Sequence, residues 1–183
     1  MFNVYSASAG SGKTYTLTKA YLTLALGEGR MVKESDTFKG TYFRNILAIT
    51  FTNAAANEMK ERILREVSGI AQNNPESNRF LAELTVELTG KTADHPDFSA
   101  LTEVIRRRCQ RLFQSILHRY SDFSVTTIDS FTQRLVMAFT DELGLPYSFE
   151  VEMDTDRVLE VAVDNLIERV GTDEMADITT ILH

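Results

Sequence analysis

Apolar positions along this chain fall into two spacings. From Lys13 they recur at helical intervals, with Leu17, Ala20, Tyr21, Leu24 and Ala25 on one stripe and Gly27 and Gly29 as the stop. Residues 2–6 ahead of that helix read as a short strand, and 7–12 as a tight loop. Residues 46–51 are almost continuously apolar, as a strand covered on both faces of a parallel sheet must be. A second helix is predicted from about Ala54, with Asn53 as N-cap and Ala55, Met59, Ile63 and Val67 on its apolar side. Further helices are predicted over about 77–88 and 97–119, the second lined by Phe98, Leu101, Ile105, Leu112, Phe113 and Ile116. Residues 123–128 read as a third strand. Ser130 and Gln133 have capping-box spacing and open a helix toward Leu143, which Gly144-Leu145-Pro146 breaks. A last amphipathic helix is predicted near 156–170, with Leu159, Val163, Leu166 and Val170 on its apolar face and Gly171 as its stop. Strands alternating with helices predict an α/β parallel sheet with helical insertions and a helical C-terminal segment.

The charge is uneven. Residues 1–135 carry 17 Lys and Arg against 14 Asp and Glu, whereas 136–183 carry 2 against 12. The net charge of -7 therefore hides a mildly basic front part, which permits a nucleic-acid partner. No apolar run reaches the roughly 18–20 residues that span a bilayer, so no membrane role is expected. The single cysteine, Cys109, excludes an internal disulfide and fits a cytoplasmic protein. The three histidines are scattered, with no zinc spacing.

The strongest chemical signal is Ala7-Ser8-Ala9-Gly10-Ser11-Gly12-Lys13-Thr14. Phosphate oxygens need several main-chain amides converging on one point, together with the positive end of a helix. Small residues let the main chain wrap that closely, Gly10 and Gly12 above all. Lys13 can reach the β- and γ-phosphates, and the Thr14 hydroxyl can ligate the bridging Mg²⁺. The strand before and the helix after give this P-loop its required context, which a loop that merely caps a helix would not need. The expected cofactors are ATP and Mg²⁺. The customary first glycine is replaced by Ala7.

A P-loop enzyme also needs an acid at the end of a neighbouring strand. Only Asp129 follows a strand here, and it reads equally as a helix cap. The magnesium acid and catalytic Glu are therefore expected outside these 183 residues, in a longer protein. The second strand ends at Thr50, Phe51, Thr52 and Asn53, where an exposed phenylalanine could stack on a base and hydroxyls could hold phosphates. The alternative is ordinary strand-to-helix packing with Phe51 in the core.

The stretch T-F-T-N-A-A-A-N-E-M-K-E-R-I at 50–63 resembles motif Ia of the UvrD/Rep-type superfamily 1 helicases. The opening A-S-A-G-S-G-K-T-Y-T-L resembles the RecB/AddA-like branch, and Val125 to Leu135 resembles the next motif of that family. The resemblance is specific over about 7–17, 46–63 and 125–135. It implies a RecA-like motor domain over 1–135, with a helical insertion about 64–122, and the start of an inserted helical subdomain over 136–183. It implies ATP binding at residues 7–14, with Lys13 in the catalytic role. It also implies single-stranded DNA contact by Thr50, Phe51, Thr52, Asn53, Thr127, Ser130 and Phe131. Asp129 stands where the family has His, and Ala54 where Lys is common. Further partners implied are the later motor domains of the same chain and a partner subunit of a helicase–nuclease complex. The implied function is that of an ATP-dependent DNA helicase or translocase in repair or recombination, with this piece inactive by itself.

Arg106, Arg107, Arg108 and Arg111 crowd two helical turns and read either as phosphate contacts or as a solvated face. Cys109 among them reads as a buried small hydrophobe. A small P-loop kinase using Asp129 as its magnesium acid, or a non-catalytic nucleotide-binding module, are the other function classes. The kinase would need an arginine-rich lid, and none is found.

Overall fold

The computed structural model describes residues 12–32, 37–144 and 155–169. The strand expected at 2–6 and the loop residues 7–11 lie outside the described residues. The chain divides into two compact units, Met1–Thr132 and Gln133–His183.

The first unit is mostly helical. Helix α1 (Lys13–Gly27) leads to a short 3-10 turn at Tyr42–Asn45 and then to strand β1 (Ala48–Thr50). Helices α2 (Asn53–Ala71), α3 (Asn78–Thr89) and α4 (Phe98–His118) follow, before strand β2 (Val125–Thr127) and helix α5 (Ile128–Ala138). β1 and β2 pair in parallel, with Ala48 beside Val125, Ile49 beside Thr126 and Thr50 beside Thr127. Parallel neighbours require a long crossover, and here α2, α3 and α4 form it. β1 is shorter than the apolar run 46–51 because Phe43 is buried in the 3-10 turn, which Ile46 N closes onto Phe43 O at 3.2 Å. The chain joins the sheet only at Ala48, whose N donates to Ser124 O at 2.9 Å.

The core is a helical one, built around α4. Ile105, Cys109, Leu112 and Ile116 of α4 join Met59, Ile63, Val67 and Ile70 of α2, Leu81, Leu84 and Leu88 of α3, and Leu22 and Leu26 of α1. Cys109 is fully buried, and burial pushes its thiol up to about 12. Several expected faces are rotated. In α1 the buried positions are Thr18, Tyr21, Leu22, Ala25 and Leu26, while Leu17 and Leu24 are each 47% exposed. Thr18 tolerates burial because its hydroxyl donates to Thr14 O at 2.7 Å. In α2, Ala56 rather than Ala55 faces inward, one turn before Met59 on the buried face. Its N-cap is Thr52, not Asn53: the Thr52 Oγ1 accepts from Ala55 N at 3.1 Å.

The arginine cluster is a solvated face only in part: Arg107 and Arg111 are exposed, Arg106 is half-buried and Arg108 is buried. Arg108 is buried, with its Nη1 donating to Leu26 O at 2.7 Å and its guanidinium 4.9 Å over the Phe38 ring. Arg106 Nη1 donates to Ile70 O at 3.2 Å, and Arg111 Nη1 to Phe38 O at 3.4 Å. Arg107 alone of the four shows no such bond among the described residues. Gly40 lets the Phe38 segment lie against α4. Its φ is 72°, and a β-carbon there would stand 3.3 Å from Arg111 O.

In the second unit the expected helix toward Leu143 stops at Ala138, and turns cover 139–144. Helix α6 (Thr155–Arg169) matches the expected last helix, but Leu159, Val163 and Leu166 are exposed rather than covered. Val170 and Gly171 lie outside the described residues. No helix among the described residues is long and apolar enough to cross a membrane.

The rotated face of α1 has a direct check by urea unfolding. Leu22→Ala removes a fully buried side chain and is expected to cost about 2–5 kcal/mol. Leu24→Ala is expected to change stability by less than about 0.5 kcal/mol. The reverse order would refute the packing described.

Candidate functional site

Three helix N-termini and the C-terminal ends of two strands carry the described site residues predicted from the sequence. Gly12 heads α1 with φ 80° and ψ 18°, a left-handed conformation that glycine adopts without a steric penalty. Its carbonyl accepts from Thr16 N at 3.0 Å, the first bond of the helix. No side chain caps this terminus, and its first turn holds no acid. A helix start leaves its first amides without intrahelical partners, and exposed Lys13 and half-buried Thr14 stand in this first turn. Ala7, Ser8, Ala9, Gly10 and Ser11 lie outside the described residues.

One residue that pins this terminus was missed in the sequence. Tyr15, in the first turn of α1, donates its hydroxyl to Glu83 Oε2 of α3 at 2.7 Å and packs edge-on against Phe80. Glu83 also lies 3.7 Å from Lys19 Nζ and 3.3 Å from Arg79 Nε. Burial, then the bond to Glu83, pushes the Tyr15 phenol up to about 12. The same bond is the main influence holding the Glu83 carboxyl below its ordinary value. The signal available was slight: an aromatic directly after the phosphate-loop Thr, on the side of α1 that faces another helix.

The strand register brings the second group of residues together. Thr50 and Thr127 are paired neighbours, so the segments leaving them emerge from one sheet edge. Thr50 Oγ1 donates to Thr52 O at 3.0 Å, shaping the turn into α2. Phe51 on that turn is 88% exposed, which excludes the core-packing alternative. Thr52 and Asn53 are exposed beside it. On the neighbouring turn Thr127 is buried, and its hydroxyl serves α5: it accepts from Ser130 N at 3.2 Å and donates to Ser130 Oγ at 2.9 Å. Thr127 therefore performs the capping expected of Ser130, which sits inside the first turn. Ser130 and Phe131 are half-buried, and Asp129 is exposed. Among the described residues no group of three or more His, Cys, Asp or Glu side chains is placed to hold a metal ion.

The UvrD/REP helicase N-terminal domain family matches residues 3–181. The chain belongs to this family. It is 32% identical over 149 residues to the A subunit of the ATP-dependent helicase/nuclease of Lactobacillus johnsonii, covering 81% of this chain and 11% of the relative. It is 30% identical over 156 residues to the RecBCD enzyme subunit RecB of Escherichia coli, covering 84% of this chain and 12% of that protein. Over a shorter stretch of 101 residues it is 37% identical to the like-named helicase/nuclease chain of a Thermoanaerobacter species, covering 55% of this chain and 7% of that one. The chain thus spans about a tenth of the length of these relatives. No solved structure matches it significantly.

The Tyr15–Glu83 bond carries a pH signature. The phenol must stay protonated to donate, so its contribution is full below its unfolded value of about 10 and is lost as pH rises through about 12. Tyr15→Phe is expected to flatten that part of the stability profile between pH 10 and 12. An unchanged alkaline slope in urea melts would contradict the half-buried, Glu83-bonded placement of the phenol.

Proposed function

We propose that this chain is the ATP-binding front of an ATP-dependent DNA helicase or translocase that acts in repair or recombination. In this reading residues 1–135 begin a RecA-like motor domain, with a helical insertion about 64–122, and 136–183 begin an inserted helical subdomain. The observation that carries it is the start of α1: a left-handed Gly12 at the N-cap, a first turn free of acids, and exposed Lys13 upon it. These residues fit a triphosphate. Main-chain amides of the 7–14 loop would surround it and Lys13 would neutralise it. The Thr14 hydroxyl would ligate Mg²⁺, which supplies charge neutralisation between the β- and γ-phosphates. The names of the helicase/nuclease and RecB relatives support nucleotide-driven work on DNA by the whole protein.

Single-stranded DNA is the proposed track. Exposed Phe51 offers a stacking face, and Thr52, Asn53, Ser130 and Phe131 flank it from two turns of one sheet edge. Thr50 and Thr127 contribute by shaping those turns, since their hydroxyls are hydrogen-bonded within the protein. The later motor domains of the same polypeptide, and a partner subunit of a helicase–nuclease complex, complete the proposed assembly. The proposed location is the cytoplasm.

Two substitutions test the reading. Lys13→Ala is expected to weaken binding of a fluorescent ATP analogue with Mg²⁺ by about tenfold or more, the scale of a charge-assisted hydrogen bond, and Arg107→Ala to leave it nearly unchanged. Equal effects in a titration would end the phosphate assignment. Phe51→Ala is expected to cost about 1–3 kcal/mol of affinity for a short single-stranded oligonucleotide, the scale of one base stacked on an aromatic ring. Unaltered oligonucleotide binding would remove Phe51 from the DNA contact.

A further inference from the structure

One helix holds the back ends of both helices whose front ends carry the proposed ligands. A helix leaves its last four carbonyls without intrahelical partners. In α1 the Leu26 carbonyl, one residue from the end, receives Arg108 Nη1 at 2.7 Å. In α2 the last two carbonyls, of Ile70 and Ala71, receive Arg106 Nη1 and Gln110 Nε2, each at 3.2 Å. All three donors stand within five residues of α4. Arg106 Nε is oriented by Glu103 at 3.3 Å, one helical turn earlier. A cation at a helix C-terminus also meets the negative end of its dipole.

The placement exceeds what packing requires. Arg108 is 4% exposed and lies on the apolar stripe of α4, between Ile105 and Leu112. A leucine there would fill space, but it could not grip a carbonyl of α1. The polar bonds fix direction as well as distance. The helices they hold are rods of 15 and 19 residues, about 22 and 28 Å long. A shift at one end of such a rod is carried to the other.

Resting on the function proposed above, we infer that Arg106, Arg108 and Gln110 are positioning residues that join α1 and α2 into one moving body. Nucleotide taken up at the N-terminus of α1 then alters the affinity for single-stranded DNA at the N-terminus of α2. The three side chains touch neither ligand. Their effect is on the coupling between the two sites, a quantity distinct from either affinity.

The test uses the intact protein to which this chain belongs. Affinity for a single-stranded oligonucleotide is measured with and without Mg²⁺ and a non-hydrolysable ATP analogue, and the ratio is the coupling factor. The double variant Arg106→Met with Gln110→Met is expected to keep each separate affinity within about twofold while the coupling factor falls about fivefold or more, within the usual range of coupling between sites. Arg106→Lys keeps a donor at that carbonyl and is expected to retain most of the coupling. Should the double variant fail to fold, Gln110→Met alone, at an exposed position, is expected to lower the factor in the same direction. A folded variant with an unchanged coupling factor overturns the inference, as does one in which both separate affinities fall together and the factor stays fixed. A wild-type protein that binds neither ligand overturns the functional reading and the inference with it. Wild-type coupling that survives in the variants overturns the inference alone.

Discussion

Three rungs of parallel strand pairing, Ala48 to Thr50 against Val125 to Thr127, set the position of everything on the candidate DNA-facing edge. The two strands lie more than seventy residues apart in sequence, and only this register puts Phe51 and Ser130 on adjacent turns. A slip of one residue would reverse which side chains face the core. Val125 and Thr127 would then leave the interior, and the cap that Thr127 gives α5 would be lost. The pairing is short, so its persistence depends on what is packed behind it. That support comes from the crossover of α2, α3 and α4, whose shared apolar core closes over the strands.

Within that core α4 does more than fill volume. Its apolar positions join the shared core through Ile105, Cys109, Leu112 and Ile116, and its polar positions donate to carbonyls at the C-terminal ends of α1 and α2. A charged group taken out of water is costly unless it is hydrogen-bonded. Arg108 meets that condition with a bond to Leu26 and the face of Phe38. The Phe38 segment is held in turn by Arg111, and Gly40 permits its close approach to α4.

Apart from α5, which stops at Ala138 short of Leu143, the helices were legible in the sequence to within one or two residues, because apolar positions recur along them at helical spacing. Their buried faces were less so. In α1, threonine, leucine and alanine occur around most of the circumference, and two apolar stripes compete. The choice between them depended on a hydrogen bond from Thr18 to Thr14 O that composition does not display. Arg108 could have been assigned inward from its place between Ile105 and Leu112, but three successive arginines with Arg111 close by suggested phosphate contact or solvent instead. Strand-based reading gave a larger sheet than the two described strands, since the stretch at 2–6 lies outside them. At the candidate site, an exposed Phe51 was one of the two readings the residues left open, and its exposure decides between them. The role of Thr127 was not legible, because a hydroxyl that caps a helix and one that contacts a ligand look identical in a sequence.

The lone thiol gives this fold an internal reporter. Cys109 sits in the core shared by α1, α2, α3 and α4, shut from solvent and held in its unreactive protonated form. Alkylating reagents attack the thiolate, so they cannot label the closed molecule. The rate at which label accumulates is therefore a clock for how often the helical core comes apart, readable without adding any probe to the chain.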